Sequence, residues 1–333
     1  MWSLRLIFVI FALKKANSLN CKTFLTVSTN DYSYYYTNLV VNWGPECVEP
    51  PASILLYDYN PYDVGTPPLF VVFPQNKTSG RVVTNVKLND FKLPHKWDST
   101  TKPNEFVNSL DQQKCLDYFL ISFDSSNQAK TFDCLKIEPQ WMTEITSIWN
   151  IPLKELYIPG THCSGCYMTR ENARDNKEKG FLQNFDVWSQ LVFGVRYLDF
   201  SIGLHQKVSQ LFYDPDEPFF EKIFWVQHNN ILISPLLKIL REVVKFAKRS
   251  NEVIVISFSS FSEGFDNQEI HEILKLLIND EVGNVSLMNQ QRGRQSFEVT
   301  INEMKNAGKN LLINYNHSNL STSYGKSPIF PTT

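Results

Sequence analysis

Three segments of the chain each end an apolar run with a titratable side chain. His162 follows one such run and precedes a glycine-containing turn, and Asp199 and His228 are the last residues of two others. Polar residues at the carboxyl ends of neighbouring strands are how a parallel barrel assembles its site. Two imidazoles in such positions predict general acid–base chemistry, because the pKa of histidine, about 6.5, lies close to working pH. For either histidine taken alone, the alternative is a packed, hydrogen-bonded core residue.

Two cysteines accompany the first histidine. Cys163 follows His162 directly, and Cys166 lies in the same turn. This spacing allows a small disulfide, and it also allows two unlinked buried thiols. A metal site is disfavoured, because no second Cys-x-x-Cys and no suitably spaced histidines follow. A catalytic cysteine–histidine pair is disfavoured as well, since nothing else in the chain is typical of a protease. We therefore expect neither a metal nor a cofactor.

The elements that would position these residues fall into two domains. Residues 19–145 contain short alternating apolar runs separated by Pro, Asn, Asp and Gly, which predict an antiparallel β-sandwich-like domain. The aromatic stretch Tyr32–Tyr36 within it is either a binding surface or part of a half-exposed strand. Residues 146–333 alternate strand-like and helical runs, which predicts a parallel sheet covered by helices. Its candidate strands lie near 155–159, 194–201, 223–228, 252–258 and 310–315.

Composition excludes several classes of function. The 333 residues are 43% hydrophobic and 20% charged, which is typical of globular chains. The net charge is −2, so long-range attraction to nucleic acid or to an anionic membrane is not expected. Peripheral contact with a membrane stays compatible with this charge, and the oligomeric state is left open.

The beginning of the chain indicates a secretory signal. An apolar core, Leu6–Leu13, follows Arg5, and small residues stand near Ser18, which predicts a cleavable signal over 1–18. An uncleaved anchor is the alternative, because Lys14 and Lys15 follow the core. Secretion gives meaning to the remaining cysteines, which allow three disulfide pairings, and to four N-glycosylation sequons. The cysteines are Cys21, Cys47, Cys115 and Cys134, and the sequons begin at Asn76, Asn284, Asn316 and Asn319.

Five motifs occur in an order that resembles one protein family. They are Ile158–Cys166, Leu182–Leu191, Gly194–Asp199, Phe224–His228 and Asn251–Phe258. In this order they are similar to the phosphatidylinositol-specific phospholipase C X-domain family, over roughly residues 151–315. The resemblance implies a TIM-type (β/α) barrel. Because such a barrel needs eight units over about 250 residues, we expect the barrel here to be incomplete at its C-terminus.

The resemblance also implies a reaction. In this family an inositol hydroxyl attacks the adjacent phosphodiester and releases a cyclic phosphate and diacylglycerol. It implies that His162 is the base, that His228 is the acid and that Asp199 supports them without a metal. Ser201 and Ser257 fall at positions that would contact the substrate. The expected ligand is a phospholipid or phosphodiester headgroup.

Two positions depart from the family pattern. Cys163 stands where the family usually has aspartate, and Ser201 stands where its metal-independent members have a phosphate-binding arginine. Strand alternation predicts that Asp199 and Ser201 share one face and that Arg196 points to the other, so Arg196 does not replace the missing cation. The resemblance places the carboxylate that orients the base late in the barrel, beyond the end of this chain.

Two hypotheses follow for function. The chain is either a phosphoric diester hydrolase with weak turnover or a secreted pseudoenzyme that binds a headgroup, glycan or protein. The substitutions at Cys163 and Ser201 favour the second hypothesis.

Overall fold

A computed structural model describes residues 21–29, 37–44, 49–59, 67–88, 93–94, 97–100, 114–168, 180–205, 223–262, 264–287 and 296–315. The chain divides at residue 138 into two compact units. The expected signal segment, the aromatic stretch Tyr32–Tyr36 and the sequons at Asn316 and Asn319 lie outside the described residues. No helix among the described residues is long and apolar enough to cross a membrane.

The first unit consists of antiparallel strands. One sheet has the order β1 (Thr23–Thr29), β2 (Thr37–Trp43), β5 (Gly80–Lys87). The other has the order β4 (Phe70–Val72), β3 (Ser53–Tyr57), β6 (Cys115–Phe123), β7 (Ala129–Lys136). Alternating side chains such as Leu25, Ile54 and Leu56 form its core, because successive residues of a strand point to opposite faces.

Disulfides reinforce this unit. Cys115 and Cys134 are bonded and link the adjacent strands β6 and β7. This bond occurs in one of the three pairings that the sequence allows for the four cysteines of this region. Cys21 is also disulfide-bonded. The sequon residue Asn76 lies in an exposed turn between β4 and β5. Disulfides are typical of proteins that mature in an oxidising compartment.

The second unit is a seven-stranded sheet with helices in its connections. Its strands are β8 (Gly160–Thr161), β9 (Tyr197–Leu204), β10 (Phe224–His228), β11 (Ile231–Pro235), β12 (Ile254–Phe261), β13 (Ser286–Leu287) and β14 (Leu311–Tyr315). Its helices are α1 (Trp141–Glu144), α2 (Val187–Val192), α3 (Leu236–Ser250), α4 (Gln268–Val282) and α5 (Ile301–Asn306). The order β11-β10-β9-β12-β14-β13, with β8 also on β9, is open at both ends among the described residues. The unit is therefore mixed α/β, and the described sheet does not close into a barrel.

Two sequence-based expectations about strands are wrong. The apolar run near 155–159 is not a strand: Leu153–Glu155 forms a 3₁₀ turn, and β8 begins only at Gly160. Pro152 and Pro159 lack the N–H groups that a strand ladder needs on both sides of this run. Strand β10 runs antiparallel to β9, whereas the sequence predicted a parallel strand there.

A tight hairpin explains the direction of β11 relative to β10. Asn229 and Asn230 link the two strands, and their φ angles are 49° and 62°. Two consecutive residues with positive φ are the signature of a type I′ turn, whose twist matches that of an antiparallel pair. Asparagine tolerates this conformation better than other residues with a side chain. The Asn-Asn pair is thus a hairpin signal in the sequence, directly after His228.

The inner face of the sheet changes character along the strands. Tyr197 on β9, Val255 on β12 and Leu312 on β14 are aligned by strand register near the amino ends of these strands, and they pack with Met142 and Leu153 in an apolar cluster. Two residues further along, the aligned side chains are polar. Burial of these apolar side chains therefore fixes the strands near their amino ends. The aligned polar side chains lie towards their carboxyl ends.

A buried carboxyl between helices gives a testable pH dependence. Glu242 on α3 accepts a hydrogen bond from the backbone N–H of Trp188 on α2, and its Oε2 is buried without a partner among the described residues. Burial, and to a smaller extent the charge of Asp186, raise its pKa to about 7. Lys238 and Lys245 oppose this shift. A raised carboxyl pKa costs stability at neutral pH, because the ionised form is disfavoured in the folded state.

We expect Glu242→Gln to stabilise the protein above pH 7 by about 1–3 kcal/mol. The gain should shrink as the pH falls from 7 through 4.5, because the carboxyl becomes protonated first in the folded state and then, below its ordinary pKa of 4.5, in the unfolded state as well. Urea unfolding at several pH values measures it, with Glu155→Gln at an exposed position as the control. An equal gain at pH 4.5 and pH 8 would contradict the assignment.

Candidate functional site

Two strands of opposite direction pair with the same edge of β9, and their carboxyl ends face each other. Strand β8 runs parallel to β9 and pairs at Tyr197 and Leu198, and β10 runs antiparallel and pairs at Ile202 to Leu204. Strand β12 occupies the other edge of β9. The carboxyl ends of β8 and β10 therefore converge from opposite directions next to Asp199. The two histidines are thus brought together by one strand that is parallel to β9 and one that is antiparallel to it.

The two histidines and the aspartate form one cluster. The Nδ1 atom of His162 lies 2.6 Å from Oδ2 of Asp199. The ring centroids of His162 and His228 are 6.2 Å apart, with the rings nearly perpendicular. The side chain of His162 is 52% exposed and that of Asp199 is 16% exposed, so solvent and ligands reach the imidazole while the carboxylate is largely covered. All three side chains that the motifs singled out thus lie in one place.

The hydrogen bond to Asp199 selects a tautomer of His162. A carboxylate accepts, so Nδ1 of His162 carries the proton that is donated to it. The Nε2 atom of a neutral ring then has a free lone pair. An imidazole oriented in this way by a carboxylate is arranged to accept a proton. The carboxylate that contacts Nδ1 of His162 comes from β9, whereas the family resemblance placed the carboxylate that orients the base on a late strand.

His228 has a different environment. Its side chain is half-buried at the end of β10. Burial, and then repulsion from His162, lower its pKa below the usual value of 6.5. At neutral pH the proton on His228 is therefore held weakly, which makes it a stronger acid when protonated.

The turn that carries His162 is closed by a disulfide. Cys163 and Cys166 are bonded and fully buried. The φ of Cys163 is 46°, in the left-handed region that a residue with a side chain adopts only when its surroundings require it. Of the two alternatives from the sequence, the structure has the disulfide. Cys163 consequently supplies no charge at the family's aspartate position.

A row of neutral polar groups continues from Asp199 across the sheet. Strand register places Ser257 on β12 opposite Asp199 and Asn314 on β14 opposite Ser257. Nδ2 of Asn314 donates to Ser257 at 3.3 Å. The Oδ1 atom of Asn314 is buried and has no partner among the described residues. This row extends the polar level of the sheet from the histidines to the third parallel strand.

Ser201 does not supply a cation. Its hydroxyl pairs with that of Ser260 on β12, so two neutral groups occupy the level above Asp199. The expectation for Arg196 is confirmed: this side chain is fully buried, forms an ion pair with Glu252 and lies over the ring of Phe246 on α3. Its guanidinium is on the helix side of the sheet, where it stabilises the fold.

The described residues contain no cluster of three His, Cys, Asp or Glu side chains placed to bind a metal ion.

Three residues around the site were not predicted from the sequence. Gln183 donates from Nε2 to the carbonyl of His162 at 2.7 Å, and Gln190 on α2 donates to the carbonyl of Ser164 at 2.8 Å. The Ser164 hydroxyl accepts from the backbone N–H of Asp199 at 2.9 Å. Neutral polar residues in a turn and at a helix give no sequence signal of this kind, because serine and glutamine are common at such places for many reasons.

The chain is similar in sequence to a known protein. No family model matches the chain. The PI-PLC X domain-containing protein 1 of Danio rerio is 25% identical over 216 residues, which cover 58% of this chain and 62% of that protein. The chain thus spans less than two thirds of the length of the relative that it matches.

Two solved structures show weak similarity. A phosphatidylinositol-specific phospholipase C mutant from Staphylococcus aureus aligns with a TM-score of 0.39 and 19% identity, over 54% of this chain and 52% of that chain. The phosphatidylinositol-specific phospholipase C from Listeria monocytogenes aligns with a TM-score of 0.38 and 18% identity, over 54% and 57%. Similarity at this level does not bear on activity.

The match by sequence covers more than half of the chain, and the motifs around His162, Asp199 and His228 occur in the order of the family. By sequence, the chain is therefore similar to a protein with a phosphatidylinositol-specific phospholipase C X domain.

Proposed function

We propose that the second unit cleaves a phosphodiester of the phosphatidylinositol type, slowly and without a metal ion. The observation that carries the proposal is the cluster of His162 on Asp199 with His228 6.2 Å away. Two imidazoles in different environments can divide the roles of base and acid. The ligand would be a phospholipid headgroup, and the disulfides are in keeping with a secreted protein that meets it at a membrane surface.

The proposed reaction is an internal displacement at phosphorus. Nε2 of His162 accepts the proton of a headgroup hydroxyl next to the phosphodiester. The oxygen then attacks phosphorus, and the bond from phosphorus to the diacylglycerol oxygen breaks. His228 donates its proton to that leaving oxygen. The products are a cyclic phosphodiester and diacylglycerol, and transfer of a proton from His162 to solvent and from solvent to His228 restores the site.

Slow turnover follows from the groups around phosphorus. Charge builds on the phosphoryl oxygens in the transition state, and preorganised cations or donors normally stabilise it. Ser201 and Ser260 offer two neutral hydroxyls that are hydrogen-bonded to each other. Loss of one such donor typically lowers a rate by 10²–10³-fold.

Binding of a headgroup without turnover is the second candidate function, and the residues Cys163 and Ser201 favour it. The serine pair has no positive charge, and Cys163 is sealed in a disulfide. Such a site would hold a hydroxyl-rich headgroup through Asp199, Ser257 and Asn314 while lacking the charges for displacement at phosphorus.

One assay separates the two candidates. The purified full chain is incubated with phosphatidylinositol micelles in EDTA and, separately, in calcium, and cyclic phosphate is followed by ³¹P NMR. We expect slow release in both, with none from the His162→Ala variant. No release above that variant, together with headgroup binding that Ser257→Ala weakens, would support binding without turnover and contradict catalysis.

The pH dependence of the rate is a further prediction. Because burial and His162 lower the pKa of His228, its proton is lost below pH 6.5 as the pH rises. If His228 is the acid, kcat/KM falls on the alkaline side with a midpoint below 6.5. Initial rates between pH 4.5 and 8.5 measure this midpoint. An alkaline limb that begins well above pH 7 would exclude His228 as the acid.

A further inference from the structure

We infer that Ser164 is the positioning residue of the site: it holds Asp199 and His162 in hydrogen-bonding register from inside the disulfide-closed turn. This inference rests on the proposed function for its catalytic consequence. Its structural content is independent of turnover, because it concerns one hydrogen bond between two side chains of the free protein.

On the β8 edge of β9, the backbone of Asp199 is hydrogen-bonded to Ser164 through both its N–H and its carbonyl. The Ser164 N–H donates to the carbonyl oxygen of Asp199 at 2.8 Å, and the Ser164 hydroxyl accepts from the N–H of Asp199 at 2.9 Å. Strand β8 ends at Thr161, one residue before it would reach Asp199. The serine side chain therefore replaces the backbone acceptor that the ladder loses where the chain turns away.

The same hydroxyl also holds the other side of the cluster. It donates to the carbonyl oxygen of Thr161 at 2.8 Å and lies 2.7 Å from the hydroxyl of Thr161. Thr161 immediately precedes His162. One buried atom thus fixes the backbone on the amino side of the histidine and the backbone of the aspartate that the histidine contacts.

The surroundings of Ser164 are buried. Ser164 is 0% exposed, and Thr161 and Gln190 are 3% and 4% exposed. Gln190 accepts at Oε1 from Thr161 at 2.8 Å and donates at Nε2 to the carbonyl of Ser164 at 2.8 Å. Buried polar networks of this kind favour a single arrangement. By contrast, His162 itself is half-exposed, so its orientation depends on the backbone beneath it.

A serine that only stabilised the turn would affect folding and nothing else. Ser250, at the end of α3, is a matched control, because it is also 0% exposed and its hydroxyl accepts a backbone N–H, from Glu252 at 3.2 Å. Ser164→Ala and Ser250→Ala each remove one buried acceptor of an amide, and we expect similar losses in Tm. Only Ser164→Ala should also weaken the hydrogen bond between His162 and Asp199.

The experiment records the proton on Nδ1 of His162 by ¹H NMR of the full chain in the cold, where a proton held by a carboxylate is shifted downfield and exchanges slowly. His162→Gln and Asp199→Asn identify the signal by its loss. We expect the signal to be present in the wild type and in Ser250→Ala and absent in Ser164→Ala. It should be present in Ser164→Thr, because threonine retains the hydroxyl. In turnover, Ser164→Ala should lower kcat about 10–100-fold with KM within twofold of wild type, as expected for a shift of catalytic groups by up to 1 Å.

Each outcome decides the inference. Persistence of the signal in Ser164→Ala, or its loss in both alanine variants, would overturn it. If Ser164→Ala does not fold, hydrogen exchange of the wild type still tests it: the Asp199 amide should be protected like its ladder neighbours, and free exchange there would refute the bond to the serine. A wild type that shows the expected signal but cleaves no phosphatidylinositol refutes the proposed function and leaves Ser164 in its positioning role.

Discussion

Replacing His162 or His228 with alanine is expected to lower the rate of phosphodiester cleavage about 10²–10⁴-fold, the usual contribution of a positioned acid or base. His162 is more than half exposed, and His228 is at the end of an edge hairpin, so neither ring is part of the core. Tm should therefore stay close to that of the wild type in both variants, while kcat falls.

The double variant gives the sharper result. Groups that act in one transition state are not additive, because removal of either one disables the step that needs both. We expect the double alanine variant to be little slower than the worse single variant. Rates that multiply would indicate two independent contributions and would contradict a shared displacement. The Asp199→Asn variant should fall between wild type and His162→Ala, since the ring remains but its tautomer is no longer fixed.

A buried histidine provides the matched control. His271 on α4 is 1% exposed, and its nitrogens pair with the hydroxyl of Tyr315 at 2.6 Å and with the carbonyl of Phe265 at 2.8 Å. Its ring is on the helix side of the sheet. His271→Gln should lower Tm and leave the rate per folded molecule unchanged, which is the reverse of the pattern for His162. Equal effects of both variants on the rate would mean that the assay reports folding.

The residues of the candidate site could be singled out from the sequence, but the way they meet could not. Motif order singled out His162, Asp199 and His228, and alternation along β9 separated Asp199 and Ser201 from Arg196 correctly. The direction of a strand, however, depends on the connection before it, and residues 206–222 before β10 carry no strong helical period. The Asn229–Asn230 pair was the available signal for the hairpin that follows His228.

Hydrogen bonds across the fold explain the other omissions. The pairing of His162 with Asp199 joins residues 37 positions apart, and it exists only because β8 lies beside β9 and ends at that level. The role of Ser164 has the same origin. Local sequence gives the types of these residues. Strand register decides which of them come into contact, and burial of the apolar side chains of the strands sets that register.

The largest expected effect on stability comes from the ion pair of Arg196 and Glu252. Both side chains are 0% exposed, and the atoms Nε and Oε2 are 2.8 Å apart. Glu252 also accepts the N–H groups of Met142 at 3.0 Å and Thr143 at 2.7 Å, which belong to the short helix α1. Arg196 donates further to the carbonyls of Leu191, near the end of α2, and of Val195, just before β9.

Removing one partner leaves a buried charge without its counter-ion. Arg196→Met keeps most of the side-chain volume, and we expect it to cost about 3–5 kcal/mol of the free energy of unfolding. Because Glu252 would lose its cation in a site that water does not reach, that penalty should exceed the loss from any exposed pair, such as Lys154 with Glu298, where about 0–1 kcal/mol is expected. Hydrogen exchange of the amides of β9 and β12 measures the change in this unit alone.

The double variant Arg196→Met with Glu252→Met tests the cause. Both charges are then absent, so most of the penalty for an unpaired buried ion should disappear, and the double variant should lose less than the sum of the single losses by at least about 1–2 kcal/mol. Strict additivity would show that the two side chains act through separate contacts. The site offers a second reading of the same variants. Arg196 lies directly before β9 and three residues ahead of Asp199. If its ion pair also fixes the register of that strand, the His162 Nδ1 proton signal should weaken in Arg196→Met and recover in the double variant.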